Sequence, residues 1–222
     1  MVKMAVASLL ITVNWGTYIY AVASGHTLDA SLGYYMNPLV VFAASTIIFK
    51  EKTSLLQVIS ICVAASGVVI TLLIFGTVPV TALIMAFSFA AYGSVKKFAH
   101  VDPLIGIAVE TLITAPFALI VALTMFGDTV SALTLKDGLL LMMAGPVTAI
   151  PMILYSIGVN DLDFKTVGIL QYFSPSLMLL IGLLSGETLG IEKLIPFIAV
   201  LAALVIYTIG ILRKGKQVKE EA

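Results

Sequence analysis

The chain has 222 residues, 60% hydrophobic and 11% charged, with 12 basic and 12 acidic side chains and a formal net charge of zero. Soluble domains run at roughly 45–50% apolar and about 25% charged, so a soluble catalytic domain is excluded and an integral membrane protein is indicated. Cys62 is the only cysteine and sits in an apolar run, which rules out an intramolecular disulfide.

A hydrocarbon core about 30 Å thick is crossed by roughly 20 helical residues, and apolar runs of that length recur throughout. They predict eight helices: Met4 to Ala23, Ser31 to Phe49, Leu55 to Phe75, Pro79 to Val95, Pro103 to Met125, Gly138 to Ile157, Phe164 to Ser185 and Ile191 to Leu212. Only helices satisfy their own backbone in lipid without a closed barrel, and these runs are too long for barrel strands. Lys50-Glu51-Lys52, Gly76, Lys96-Lys97 and Gly186-Glu187 act as stops, while Pro79 and Pro103 sit at helix starts, where a missing N–H costs nothing. The first run lacks a following cleavage site, so no removable signal peptide is expected.

With the N-terminus inside, Lys3, Lys50, Lys52, Lys96, Lys97, Lys165, Arg213, Lys214, Lys216 and Lys219 face the cytoplasm. Only Lys136 and Lys193 face outward. This bias predicts two cytoplasmic termini, with the basic tail from Arg213 resting at anionic lipid.

Two segments then read as copies. Ser31-Leu-Gly-Tyr-Tyr-Met-Asn-Pro38 leads through an apolar run to Glu51, and Thr166-Val-Gly-Ile-Leu-Gln-Tyr-Phe-Ser-Pro175 leads through another to Glu187. The prolines are 137 residues apart and the glutamates 136. That spacing is five helices long, and the copies enter the membrane from opposite sides. An inverted repeat with an odd number of helices per unit is the usual plan of secondary transporters. Only three helices precede the second unit. The division expected is 1–76 as an incomplete first unit, 77–212 as a complete second unit and 213–222 as a cytoplasmic tail. The full first unit would start about 58 residues before Met1, room for two further helices.

Several side chains carry chemistry. Glu110 is the one carboxylate within an apolar run, about 10 Å of helix beyond Pro103. It reads either as a proton-coupling carboxylate or counter-charge for a cationic substrate, or as the partner of Lys96 or Lys97. Asn14 and Trp15 at the middle of the first span line a cavity or serve as polar glue between helices. Pro38 and Pro175 each free a carbonyl one turn back, beside Asn37 and Ser174, for substrate contact or for a kink that only packing requires. Tyr34, Tyr35, Gln171 and Tyr172, one turn away, suit an uncharged or weakly polar aromatic molecule, or aromatic packing. Glu51 and Glu187 oppose the helix macrodipole and need local partners. Lys50 or Lys52 and Lys193 are available, as gate ion pairs closing opposite faces. His26 and His100 lie in opposite loops and share no metal; no metal site or cofactor is indicated.

Through Asn14-Trp15, the run Leu28-Asp-Ala-Ser-Leu-Gly-Tyr-Tyr-Met-Asn-Pro-Leu39, Ala86-Phe-Ser-Phe-Ala-Ala-Tyr-Gly93, Glu110-Thr111, and Gly168 to Pro175 with Gly186-Glu187, the chain resembles the EamA drug/metabolite transporter superfamily and its RarD branch. The resemblance covers essentially the whole sequence. It implies an all-α polytopic fold of two inverted five-helix units, here eight helices with the first unit cut to three. It also implies a chloramphenicol-resistance-type permease of the bacterial inner membrane, with related proteins exporting amino acids and metabolites.

A secondary transporter exporting small organic molecules by alternating access is the function expected. Its partners are the lipid bilayer and a small-molecule substrate, with no nucleic acid. ATP is not the driver, because no G-x-x-x-x-G-K-[ST] loop is present. If the chain starts at Met1, either a homodimer completes the cavity or the chain is a non-transporting remnant. A membrane-embedded enzyme needs paired carboxylates or His clusters at membrane depth, and only Glu110 qualifies.

Overall fold

The structure, a computed structural model, describes residues 2–24, 27–75, 80–127, 130, 132–177 and 191–220. Among them are eight helices: α1 Val2–Ala23, α2 Thr27–Ile47, α3 Leu55–Phe75, α4 Val80–Ala99, α5 Pro103–Met125, α6 Leu135–Asp161, α7 Phe164–Leu170 and α8 Ile191–Glu220. α1, α3, α5, α6 and the Leu194–Ile211 stretch of α8 are long and apolar enough to cross a membrane, and α2 adds the shorter apolar stretch Leu32–Ile47. The chain is a multi-pass membrane protein. Its outward apolar side chains, such as Leu73 at 77% and Met142 at 75% exposure, would be costly in water and suit lipid.

Helix starts are set by side chains that satisfy the first N–H groups, which have no partner inside the helix. At α3, Ser54 N–H donates to Gln57 Oε1 (2.9 Å) while Gln57 N–H donates to Ser54 Oγ (3.3 Å). At α6, Thr134 N–H donates to Asp137 Oδ2 (3.0 Å) and Asp137 N–H to Thr134 Oγ1 (3.3 Å). This reciprocal capping box starts α6 three residues before the expected Gly138. Asp102 Oδ1 caps α5 by accepting from Leu104 and Ile105 N–H, ahead of Pro103.

Two further boundaries differ from expectation for identifiable reasons. α4 runs through Lys96 and Lys97 to Ala99, because both ammonium groups find oxygen partners: Lys96 meets Glu110, and Lys97 donates to the Leu162 carbonyl at 2.6 Å. The helix ends at His100, whose φ of 47° is left-handed. The span expected from Phe164 to Ser185 breaks after Leu170 into a turn at Gln171 and Tyr172, then resumes over 173–177. Its remainder, with Gly186 and Glu187, lies outside the described residues, as do Gly76, Pro79 and His26.

The helices gather into two compact groups. One holds Met1–Val13 with Ala91–Leu162, the other Asn14–Ala90 with Asp163–Ala222. In the first, α5 packs on α6. In the second, α3 packs extensively on α8, and α2 packs on α7 and α3. Its core joins Tyr35, Ala64, Val68, Ile169, Tyr172, Val200, Ala203 and Tyr207. Between apolar helices in lipid, close packing replaces the hydrophobic effect as the attraction, so small residues mark the contacts. A Cβ placed on Gly67 of α3 would lie 2.4 Å from Ala199 Cβ and 3.2 Å from Pro196 Cα on α8. One on Gly168 of α7 would lie 2.8 Å from Val41 Cγ1 and 3.4 Å from the Pro38 carbonyl oxygen on α2.

Candidate functional site

The closest meeting of expected site residues is between α2 and α7, where Gly168 lets the two backbones approach. Asn37 Nδ2 donates to Gln171 Oε1, a contact across 134 residues of sequence. Asn37 is 8% exposed and Tyr172 is fully buried; Pro38 and Pro175 are buried too. The two prolines act differently. α2 continues through Pro38, whereas α7 breaks four residues before Pro175. Proline lacks the N–H that would bond the Gln171 carbonyl, and its ring crowds that turn. The local bonds tighten accordingly: Gln171 N–H donates to the Gly168 carbonyl and Tyr172 N–H to the Ile169 carbonyl, both three residues back. Ser176 N–H donates to the Tyr172 carbonyl at 3.2 Å, restoring the α pattern.

This break leaves polar groups inside the helix pair. Asn37 Oδ1, Gln171 Nε2 and the Tyr172 hydroxyl are buried and have no hydrogen-bond partner among the described residues. Such groups normally find one, and each that does not costs about 1–3 kcal/mol.

The other residues of this set take separate places. Asn14 Nδ2 donates to the Met85 carbonyl (2.8 Å) and to Ser88 Oγ (3.1 Å), joining α1 to α4. Trp15, its neighbour, is 42% exposed. Tyr34 meets Tyr18 edge to face, with ring centroids 5.8 Å apart.

Glu110 belongs to the other group. Its Oε1 lies 2.8 Å from Lys96 Nζ, with both side chains 6% exposed, and its Oε2 accepts from the Tyr92 hydroxyl at 3.0 Å. Tyr92 stacks on Tyr155 with centroids 6.1 Å apart, and Lys96 Nζ lies 5.4 Å from the Tyr92 ring centroid. Of the alternatives open in the sequence, Lys96 is the lysine that Glu110 meets. The ring of Tyr92 around this pair was missed, though Tyr92 and Lys96 are four apart and share one face of α4.

Glu51 bonds backbone at the start of α7. Its Oε1 accepts from Phe164 N–H (2.6 Å) and its Oε2 from Lys165 N–H (3.1 Å). Lys165 Nζ donates to the Lys52 carbonyl and lies 3.4 Å from Asp163 Oδ2. Glu187 lies outside the described residues. Among the described residues, no three His, Cys, Asp or Glu side chains gather into a group.

No protein-family model matches the chain. The uncharacterized transporter YojE of Bacillus subtilis is 41% identical over 206 residues, covering 91% of this chain and 68% of its own. Protein RarD of Escherichia coli is 36% identical over 208 residues, covering 92% of this chain and 70% of its own. Protein RarD of Streptomyces exfoliatus is 34% identical over 217 residues, covering 96% and 69%. A solved structure, described only as a crystal structure of a protein, superposes with a TM-score of 0.67 over 92% of this chain and 76% of its own. At 18% identity that likeness shows a shared fold and nothing more.

Proposed function

This chain belongs to the RarD-like family of drug/metabolite transporters, and on that premise we propose a secondary carrier of the bacterial inner membrane. It exports small organic molecules, amino acids among them, by alternating access between two inverted repeat units, with both termini cytoplasmic. The names of its relatives favour a carrier over a membrane-embedded enzyme.

The Asn37–Gln171 contact supports this reading most directly. It joins the two segments that read as copies, within their expected spans and beside a broken helix. Irregular backbone at such depth is tolerated where it lines a cavity or is buried in protein. Tyr34, Asn37, Pro38, Gln171, Tyr172 and Pro175 form the substrate-binding set, and Trp15 offers a further aromatic face. Asn14, with both Nδ2 hydrogens engaged, positions α1 against α4. Glu51 closes one face by holding the start of α7, and Glu187 has the matching role on the other. Glu110 couples protons by exchanging Lys96 for a proton during the cycle.

Efflux from cells loaded with radiolabelled aromatic amino acids and uncharged drugs tests the proposal. Cells expressing the full chain should empty faster than cells carrying vector alone, and Asn37→Leu or Gln171→Met should slow the loss. Glu110→Gln should flatten the dependence of efflux on external pH. Equal efflux with and without the protein across the panel would overturn the assignment.

A further inference from the structure

The Asn37–Gln171 contact is half of what two amides can make. A primary amide carries two N–H donors and a carbonyl acceptor. Facing amides can therefore exchange two hydrogen bonds and close a ring. Here Asn37 Nδ2 to Gln171 Oε1 forms, and Asn37 Oδ1 and Gln171 Nε2 are buried without partners among the described residues. One is an acceptor and the other a donor. Turning both amides over exchanges their identities and leaves the same inventory, so the open half always offers one of each.

Apolar side chains pack beside the pair: Tyr35 on α2, Ile169 on α7 and Tyr172 in the turn after it belong to one hydrophobic core cluster. The Tyr172 hydroxyl adds a third buried, unpartnered group that both donates and accepts. Gln171 stands in the turn that interrupts α7, where Pro175 leaves its backbone carbonyl without the usual donor. Its side chain is thus carried by the least regular backbone of the pair.

We propose that the open half of the Asn37–Gln171 pair recognises an uncharged primary carboxamide, whose N–H and C=O lie on the same side and complete the interrupted ring. The proposal rests on the carrier reading and names its substrate class. A carboxylate can accept from Gln171 Nε2, but it sets oxygen against oxygen at Asn37 Oδ1. An ammonium has the opposite conflict at Gln171. Offering two donors to a carboxylate requires breaking the existing contact, so discrimination comes from mismatch as well as from match. A ligand bonded to both side chains also ties α2 to α7, which makes occupancy sensitive to the distance between these helices.

The test uses the full chain purified into lipid nanodiscs for binding and into liposomes for flux. The probes are phenylacetamide, phenylacetate and phenylethylammonium, neutral, anionic and cationic groups on one phenylmethyl skeleton, of which the neutral one alone carries a carboxamide. Calorimetry should show the neutral probe bound at least roughly tenfold more tightly than either charged one, the worth of one well-matched buried hydrogen bond. The double variant Asn37→Leu with Gln171→Met keeps the volumes and removes both unmet groups. It should melt no lower than the wild type and lose the neutral preference.

Equal binding of the three probes by the wild type overturns the proposal. So does a preference that survives the double variant, since the open amides then hold ordered water only. Flux separates the two readings. Binding with neutral preference but no flux of any probe sinks the carrier and leaves the amide site. Flux without that preference sinks the amide site and leaves the carrier.

Discussion

Glu51 holds the N-terminus of α7: its carboxylate accepts from the backbone N–H of Phe164 at 2.6 Å, across 113 residues of sequence. The same carboxylate takes the next N–H, that of Lys165, at 3.1 Å. Phe49 lies edge to face with Phe164, centroids 5.2 Å apart, and Lys165 Nζ reaches back to the Lys52 carbonyl. A charged cap, an aromatic pair and a lysine bond therefore fasten one seven-residue helix to the loop after α2. A helix that short does not persist on its own propensity. Negative charge at its start also complements the dipole of α7, which offsets its opposition to the dipole of α2.

Loss of this cap should be local and measurable. Glu51→Ala is expected to cost about 1 kcal/mol, the usual worth of an N-cap side chain, read as a lower thermal midpoint in detergent. Hydrogen exchange in a peptide spanning 163–170 should quicken at the same time. Glu51→Gln keeps a neutral acceptor and should fall between. Unchanged exchange in Glu51→Ala would show that Phe49 and Lys165 suffice.

Close approach of α3 and α8 depends on Gly67. Its Cβ would stand 2.4 Å from Ala199 Cβ, with Pro196 Cα at 3.2 Å, and neither neighbour is the far end of a flexible side chain. Gly67→Ala should lower stability by about 1–3 kcal/mol, the range for overpacking a tight contact. Adding Ala199→Gly should recover part of the loss, because the Pro196 contact remains. A single variant that melts like the wild type would mean that the helices part freely.

Much of this fold was legible because the signal was local. Runs of apolar residues placed α3 and α5 to the residue. The capping boxes Ser54–Gln57 and Thr134–Asp137 were also written in the sequence, but polar residues beside long apolar runs read there as loop. The break at Gln171 was not legible, because Pro38 occupies a similar context and leaves α2 unbroken. Long-range partners were harder still. Glu51 bonds backbone N–H groups more than a hundred residues away, which no neighbouring residue announces.

The buried Lys96–Glu110 pair gives a third prediction. Two charges with side chains 6% exposed, 2.8 Å apart, have lost their water and depend on each other. Lys96→Met alone strands the carboxylate and should cost about 3–5 kcal/mol, whereas Lys96→Met with Glu110→Leu should recover most of that. Thermal melts of the two single variants and the double variant give the coupling directly. If the double variant is stable but its efflux no longer responds to pH, the pair serves transport and not folding. A double variant as unstable as the singles would instead place the burden on Tyr92, which donates to Glu110 Oε2.

Asn14 tests whether a polar residue in mid-span must touch substrate. Both hydrogens of its Nδ2 are committed, to the Met85 carbonyl at 2.8 Å and to Ser88 Oγ at 3.1 Å, and Ser88 Oγ itself donates to the Met85 carbonyl at 3.2 Å. That closed set binds α1 to α4 around one shared, buried acceptor, the Met85 carbonyl. Interhelical hydrogen bonds in lipid contribute about 0.6–2 kcal/mol, so Asn14→Leu should lower the thermal midpoint by a corresponding amount. Ser88→Ala should do less, since the stronger contact to Met85 survives. Per folded molecule, the KM for an exported compound should be unchanged in Asn14→Leu, whereas Gln171→Met should raise it. A raised KM in Asn14→Leu with an unshifted midpoint would move this residue from the frame of the site into the site itself.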